Sequence, residues 1–225
     1  SMHPQKVEVG FYAGGTQTRT TMLSNGLSAA WEDGDRLSVW ALASDGTYAL
    51  ANQSFTTYGI NGSRGFFTTR LDAGMPEGTY TYYCCYPTPV SVNGTSVSFN
   101  VPALQDGKVS GGADIMIATP VEHGALTAIQ DMDNQSGMSM EMNRMMHQFR
   151  FWVPEDDQLL GNEKIEQIFL SFPTPVVGDV TLNLADADAP AQLSNGQTDV
   201  SLALAQPIGK TSGEDYQYAC MAMTP

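Results

Sequence analysis

VSVNGTSVSF, residues 90–99, predicts the secondary structure of this chain more clearly than any other stretch. Apolar and polar side chains alternate on both sides of Asn93-Gly94, as they do along strands with one buried face. The Asn-Gly pair tolerates the positive φ angles that a two-residue hairpin turn requires. The segment therefore predicts two antiparallel strands joined by a tight turn.

The same kind of signal recurs through the first half of the chain. Short apolar or alternating runs lie at 7–12, 36–42, 65–71, 78–85, 95–101 and 114–118. Turn pairs such as Asp45-Gly46 and Asp106-Gly107 lie between them. Helical periodicity is nearly absent, so the chain is predicted to be all-β and to fold as an antiparallel β-sandwich.

A second unit is predicted to begin at residue 138. The run 138–142, MSMEM, alternates strictly, and strand patterns follow at 147–153, 164–172 and 176–184. The residues after 147 are too few for another full sandwich, because strands average about 5 to 6 residues and need turns between them. The predicted domains are residues 1–137 and residues 138–225, the second one incomplete.

Composition excludes several classes of function. The net charge is -14 with a pI of about 4.3, and only 10 residues are Lys or Arg, so no nucleic-acid partner is expected. No apolar run approaches the roughly 18 to 20 residues of a membrane helix, so no membrane span is predicted. We expect Ser1-Met2 to be a tag remnant ahead of a trimmed mature sequence.

The three cysteines do not suggest a disulfide framework, which normally uses an even number. Cys84 and Cys85 are adjacent on a predicted strand, so their side chains should point to opposite faces. One of them can pair with Cys220 in principle. The alternative is that all three are small buried apolar residues.

No residue set has the spacing of a metal or catalytic site. His3, His123 and His147 are far apart, and zinc needs three or four converging ligands. The acidic stretches 32–35 and 186–188 lack the spacing of a calcium loop, and 31–35 is instead expected to be a tight turn at Gly34 with Trp31 packed against the sheet. No nucleophile elbow or carboxylate pair framed by aromatic residues is evident. We therefore expect no cofactor, no metal and no enzymatic activity.

Large apolar side chains on alternating strands should form the core. Six aromatic residues are predicted to be mostly buried, namely Trp31, Trp40, Tyr82, Phe99, Phe151 and Trp152. Six of the twelve methionines lie between Met132 and Met146. A methionine-rich strand can form an adaptable interface, but the more ordinary interpretation is a core strand.

Four short motifs occur in an order that is shared with one known family. They are TRT at 18–20, WEDGD at 31–35, YYCCYP at 82–87 and DIMIA at 114–118. Pro102 and Gln105 also precede the polar turn Asp106-Gly107, and His147 precedes the strand pattern FRFWV. In this ordered set the chain resembles the fimbrillin-like surface proteins of Bacteroides-type bacteria.

That resemblance implies both an architecture and a role. It implies transthyretin-like sandwich domains and a pilus subunit or pilus-associated adhesin at the cell surface or outer membrane, exported as a lipoprotein precursor. The implied partners are other pilus subunits or further copies of the chain, joined head to tail, and an unknown adhesion target. Head-to-tail contacts of this kind do not close, so they build filaments.

Arg19 is the candidate processing site. It follows the predicted first strand through Gly14-Gly15, and an arginine in an exposed loop is a distinct protease target in a chain with so few basic residues. The resemblance implies that cleavage there removes the first strand, represented by Val7, Val9 and Phe11, and opens a groove for a donor strand. The alternative is an ordinary loop arginine.

A carbohydrate-binding surface module is the rival function from another class. It requires an exposed row of aromatic rings that can stack on sugars, to which Tyr80, Tyr82 and Tyr83 can belong. The family resemblance instead implies that these tyrosines lie in a core strand. Their burial therefore discriminates between the two functions.

Overall fold

The chain folds entirely into β-strands and their connections wherever its structure is described. The computed structural model describes residues 6–15, 31–61, 64–108, 114–129, 137–212 and 217–225, and none of these residues is helical. The prediction of an all-β fold is therefore confirmed. The strands are β1 (Val7–Gly14), β2 (Arg36–Ala43), β3 (Tyr48–Asn61), β4 (Arg64–Leu71), β5 (Thr79–Tyr86), β6 (Ser91–Asn93), β7 (Ser96–Val101), β8 (Leu104–Gln105), β9 (Met116–Ala118), β10 (Val121–Gly124), β11 (Ser139–Arg144), β12 (His147–Trp152), β13 (Ile165–Ser171), β14 (Val177–Asn183), β15 (Gln192–Gln197), β16 (Asp199–Ile208) and β17 (Tyr218–Met223).

The largest sheet closes on itself like a barrel. Its strand order is β10-β5-β2-β3-β4-β1-β11-β9, and β9 also pairs with β5, so seven strands form a ring with β10 outside it. Most of its pairs are antiparallel, but β1 and β11 are parallel. The closure and the parallel pair depart from the predicted antiparallel sandwich. The ring encloses a core that includes Val9, Phe11, Leu37, Val39, Phe55, Phe67, Tyr82, Met138, Met140 and Met142.

The long strand β3 has no counterpart among the predicted strands. Its pairing with β2 slips between Val39 and Ala41, where Gln53 is opposite Val39 and Leu50 is opposite Ala41. Asn52, within this bulge, has a positive φ of 49°. A bulge adds a residue to one strand and shifts its inward and outward alternation. The alternation of inward and outward residues along β3 is therefore interrupted, and the sequence pattern does not predict this strand.

Strand β5 is buried on both faces because it belongs to two cores at once. Tyr82 and Cys84 lie in the barrel core, whereas Tyr83 and Cys85 lie in a second core outside the ring. The prediction that the two cysteines point to opposite faces is confirmed. Both are buried free thiols, as is Cys220, so neither is paired with Cys220.

The second core lies between the outside of the barrel and three smaller sheets. These sheets have the orders β15-β14-β7-β6, β13-β16-β8 and β12-β17. Members of this core include Trp40, Cys85 and Ile117 from the barrel, and Val97, Phe99, Val180, Leu182, Val200, Leu202 and Met221 from the smaller sheets. The predicted hairpin is confirmed: Asn93 pairs with Ser96, and Gly94 has a φ of 62°.

Strand pairs connect the two predicted domains in both directions. β11 follows residue 138 but pairs with β1 and β9, while β7 and β8 precede it but pair with β14 and β16. Alternation identifies a strand without identifying its partner, so the sequence carried no signal for this pairing between the two predicted domains. The boundary between residues 1–137 and 138–225 stays a prediction about independent folding and does not separate the sheets.

Five of the six predicted core aromatics are at least partly buried. Trp31, Trp40, Tyr82 and Phe99 are buried, and Phe151 is half-buried. The prediction for Trp152 is wrong, since 51% of it is exposed. Among the described strands β12 pairs with β17 alone, and what lies against Trp152 is the guanidinium of Arg150, 5.2 Å from its ring centroid. The methionines of β11 lie in the barrel core, as the ordinary interpretation predicted.

Candidate functional site

The first strand, whose displacement the family resemblance implies, is an internal strand of the barrel. All eight residues of β1 pair antiparallel with β4, and Tyr12, Ala13 and Gly14 also pair in parallel with β11. The Tyr12 amide donates to the Met138 carbonyl at 3.0 Å, and the Ile129 amide donates to the Glu8 carbonyl at 2.9 Å. Removal of β1 would therefore leave unpaired backbone groups on both neighbouring strands.

The inner face of β1 fills an apolar slot. Val9, Phe11 and Ala13 are fully buried, and Val7 packs at the margin of the same core. The Phe11 ring lies 5.1 Å from that of Phe55 in an edge-to-face arrangement and 6.5 Å from that of Phe67. Such ring pairs contribute beyond the area that they bury. The slot is therefore shaped around one aromatic side chain.

The outer face of β1 is also closely packed. The Tyr12 ring lies 4.9 Å from Phe66, and the Arg64 guanidinium is 5.8 Å from the Tyr12 ring centroid. Arg64 also donates to the Ser139 hydroxyl and so connects β4 to β11 across β1. A Cβ at Gly10 would come within 2.6 Å of the Phe67 carbonyl oxygen and 2.7 Å of the Phe66 ring. Only glycine fits there.

Trp31 secures the end of β1. Its Nε1 donates to the Ala13 carbonyl at 3.2 Å, and its ring lies 5.0 Å from Phe67. The tight turn predicted after it is present: Gly34 has a φ of 90°, and the Asp35 amide donates to the Glu32 carbonyl at 3.1 Å. The motif at 31–35 thus helps to hold β1 in its slot.

The TRT motif lies between β1 and Trp31, within 16–30. Arg19 is therefore outside the described residues, and its role as a cleavage site stays a prediction. The two residues that border this segment, Gly15 and Trp31, are both buried.

The slot contains hydrocarbon rather than reactive groups. Tyr82 and Cys84 belong to the same core as the slot, and burial raises the pKa of both well above its ordinary value. The Tyr82 hydroxyl donates to the Gly124 carbonyl at 2.7 Å. Across the part of the chain that the structure describes, no three His, Cys, Asp or Glu side chains converge as metal ligands do. The slot is filled by one strand, and the described side chains around it provide no acid–base pair.

The tyrosines that the carbohydrate-binding rival needs are buried. Tyr80, Tyr82 and Tyr83 expose 4%, 0% and 8% of their surface, and the first two form an edge-to-face pair inside the barrel. They form no platform for sugar rings, so this form of the rival is not supported.

Sequence reasoning did not identify the partners of β1. Phe66 and Phe67 on β4 contact its two faces, Met140 on β11 pairs with Ala13, and the carbonyl of Met138, just before β11, accepts from the Tyr12 amide. Two adjacent aromatic residues in a strand pattern indicate burial on both faces, and that signal was available. The sequence carried no signal for the position of β11 beside β1, since a parallel pair between residues 12 and 139 leaves no local pattern.

Comparisons with known proteins identify a related fold. No family model matches the chain, and no curated protein matches it. The chain is similar to the crystal structure of a protein from Bacteroides uniformis ATCC 8492 described as a "putative cell adhesion protein", with a TM-score of 0.57 and 16% identity over 97% of this chain and 74% of that one. It also matches a "putative adhesin" from Bacteroides ovatus with a TM-score of 0.42 and 11% identity, over 97% of this chain and 68% of that one.

The first of these likenesses shows a shared all-β fold across nearly the whole chain. At this level of identity it shows the fold alone. The described residues include no helix with the length and apolar character needed to cross a bilayer.

Proposed function

We propose that the chain is a non-enzymatic cell-surface protein that acts as a pilus subunit or pilus-associated adhesin and assembles by replacement of its first strand. The observation that carries the proposal is the placement of β1, which is paired along one edge, partly paired along the other, and fully buried at Val9, Phe11 and Ala13. The structural likeness to a protein described as a cell adhesion protein supports the surface role.

The physical basis is the cost of an empty slot. Burying Val9 and Phe11 contributes about 1.5 to 3 kcal/mol each, and the strand also satisfies the backbone groups of β4 and β11. A barrel without β1 would expose the apolar slot and the unpaired backbone groups of β4 and β11 together. A strand from another subunit with apolar residues at alternate positions recovers both terms, which makes filling of the emptied slot favourable.

Cleavage after Arg19 is the step that would release β1 from the rest of the barrel. The cut separates the segment that contains β1 from Trp31 and everything after it. Other pilus subunits or further copies of the chain are the proposed donors, and the adhesion target is unknown. A transthyretin-like sandwich topology, a fimbrial or outer-membrane location and a lipoprotein precursor belong to the same proposal.

Limited proteolysis tests the proposal directly. Trypsin should cut the folded protein first after Arg19, as mass spectrometry of the fragments would show, and Arg19→Ala should abolish that cut. Lys108→Ala is the matched control, because Lys108 is an exposed basic residue just after the Asp106-Gly107 turn and should not affect the first cut. The cut protein should then form oligomers on size-exclusion chromatography.

A donor peptide tests strand exchange separately from cleavage. A synthetic copy of residues 6–15 should bind the cut protein after β1 is removed and should not bind the intact chain. If the folded chain resists trypsin at Arg19, or if the cut protein neither oligomerises nor takes up the peptide, strand replacement by this route is excluded and a non-polymerising adhesin becomes the better function.

A further inference from the structure

The barrel carries an open cleft at the end where β1 begins. It has a volume of about 820 Å³ and lies between the β2–β3 hairpin turn, the connection from β4 to β5, and Lys6 just before β1. The mouth of a β-barrel is a preferred place for small-ligand sites, whose volumes run from about 300 to 1,000 Å³. The cleft thus has the position and size of a ligand site.

One wall of the cleft combines polar groups with an apolar base. Gln53, half-buried after the Asn52 bulge, donates through Nε2 to the Thr69 hydroxyl at 2.9 Å, which fixes the amide and leaves its Oε1 as an acceptor. Leu71 and Met75 line the cleft and pack against the barrel core. Bulges often direct a side chain into a site. A ligand here would meet a fixed amide beside hydrocarbon.

The rim of the cleft carries a pre-oriented carboxylate. Asp45 Oδ1 accepts hydrogen bonds from the Thr47 hydroxyl at 2.6 Å and from the Thr47 amide at 3.0 Å. These bonds hold the pKa of the Asp45 carboxyl below its ordinary value, so it is ionised at neutral pH. Its second oxygen, Oδ2, takes part in neither of these two bonds. It is available to accept from a ligand.

The charges of the cleft discriminate between ligand classes. Asp45, Asp72 and Glu77 line it together with Lys6 and Arg70, and Lys6 lies 3.9 Å from Asp72. The small excess of carboxylates disfavours phosphate or an acidic sugar. Carboxylates and a fixed amide favour a ligand with many hydroxyl donors, and the apolar base favours one with a hydrocarbon face. Sugar rings combine both properties.

We propose that this barrel-mouth cleft binds a neutral oligosaccharide, with Asp45 and Gln53 accepting hydrogen bonds from its hydroxyl groups. Tyr80, one of the tyrosines considered above, also lines the cleft but is buried, and the proposed contacts come from Asp45 and Gln53. The proposal does not depend on strand replacement, since neither Asp45 nor Gln53 belongs to β1.

Titration with defined sugars tests the site. We expect lactose, N-acetyllactosamine or maltose to bind the intact chain with a Kd of about 1 mM or tighter by calorimetry, the range of a small weak ligand. In heteronuclear NMR spectra the bound sugar should shift the amides of 43–53 and 71–79. Asp45→Asn should weaken binding about tenfold or more, as loss of a charged acceptor does, while the asparagine keeps the turn bonds.

A blocking variant and a matched control accompany this change. Gly74→Trp should abolish binding, because Gly74 lines the cleft and a Cβ there meets no atom within 4 Å, so the fold tolerates it. Asp186→Asn is the control: Asp186 caps a similar turn by accepting from the Asp188 amide at 3.1 Å, outside the cleft, and should leave binding unchanged.

The other outcomes contradict the proposal. The proposal is overturned if none of the three sugars binds at a sugar concentration of about ten times that Kd. It is also overturned if a sugar binds and both Asp45→Asn and Gly74→Trp leave that binding intact. Stronger binding of sialyllactose than of lactose rejects the neutral class, and shifts at 43–53 caused by spermine alone identify a cation site instead. None of these results bears on cleavage at Arg19, so the two proposals fail separately.

Discussion

Strands β1 and β12 have similar sequence patterns and very different surroundings. Each has apolar residues at alternate positions, yet Phe11 on β1 is fully buried while Phe149 and Trp152 on β12 are 44% and 51% exposed. β1 lies between two partner strands of a closed ring, whereas β12 pairs with β17 alone among the described strands. The difference shows that burial here depends on how many neighbours a strand has, and only secondarily on its side chains.

The two regions also differ in what they can do. A strand held on both edges and on its inner face can be exchanged only as a whole, because its contacts form and break together. On β12, the half-exposed Trp152 is held locally by Arg150, whose guanidinium lies 5.2 Å from the Trp152 ring centroid and 5.9 Å from that of Tyr218 on β17. We therefore expect substitutions in β1 to unfold the barrel, and substitutions in β12 to act locally.

Phe11→Ala should show the largest effect. Removing a fully buried aromatic ring that contacts Phe55 and Phe67 should lower the free energy of unfolding by about 3 to 5 kcal/mol, measured by urea denaturation. Phe169→Ala is the matched control, since Phe169 is also in a strand but is 72% exposed, and it should cost less than about 1 kcal/mol. Equal losses at the two positions would contradict the comparison.

Gly10→Ala should have the next largest effect. The added Cβ would come within 2.6 Å of the Phe67 carbonyl oxygen, which is backbone and cannot move aside cheaply, so we expect a loss of about 1 to 3 kcal/mol. Gly59→Ala on β3 provides the control, because a Cβ there meets nothing within 4 Å. A neutral result at Gly10 in thermal unfolding would mean that β4 yields to β1 more readily than the packing indicates.

These positions also show how far the sequence could predict the site. The strand at Val7, the turn at Gly34 and the hairpin at Asn93 are local, so alternation and turn chemistry were sufficient to predict them. The neighbours of β1 are set by long-range pairing: β11 lies more than 120 residues further along the chain, and no local pattern identifies a parallel partner. The exposure of Trp152 was mispredicted for the same reason, because the pattern identified a strand but not its lack of a second neighbour.

Trp152→Ala should have a small effect. The indole is half exposed and its described contact is the Arg150 guanidinium, so we expect a loss of about 0.5 to 1 kcal/mol. Trp40→Ala is the contrasting variant, since the fully packed Trp40 lies in the second core and should cost about 3 to 5 kcal/mol. A large loss at Trp152 in urea denaturation would show that β12 supports the fold beyond its local contacts.

The cysteine thiols should have the smallest effect on the free energy of unfolding at neutral pH. Their ionisation compares β17, the partner of β12, with β5 of the barrel. Burial raises the pKa of Cys220 on β17 from an ordinary value near 9 to about 11, with Arg150 and Arg144 opposing the rise, and burial raises that of Cys85 on the shared strand β5 still further. A group with a raised pKa in the folded state contributes stability that is fully present below its unfolded pKa and is lost as the pH rises through its folded pKa.

The free energy of unfolding should therefore stay flat between about pH 7 and pH 8 and fall as the pH rises from about 9 towards 11, as urea denaturation at each pH would show. Absorbance at 240 nm includes tyrosinate as well as thiolate, so the parent chain is compared with Cys220→Ala: the variant should lose one thiolate step near pH 11 and keep the later ones. Ionisation of Cys84 or Cys85 before Cys220 would mean that the shared strand between the two cores is open to water, and that β5 is less enclosed than β17.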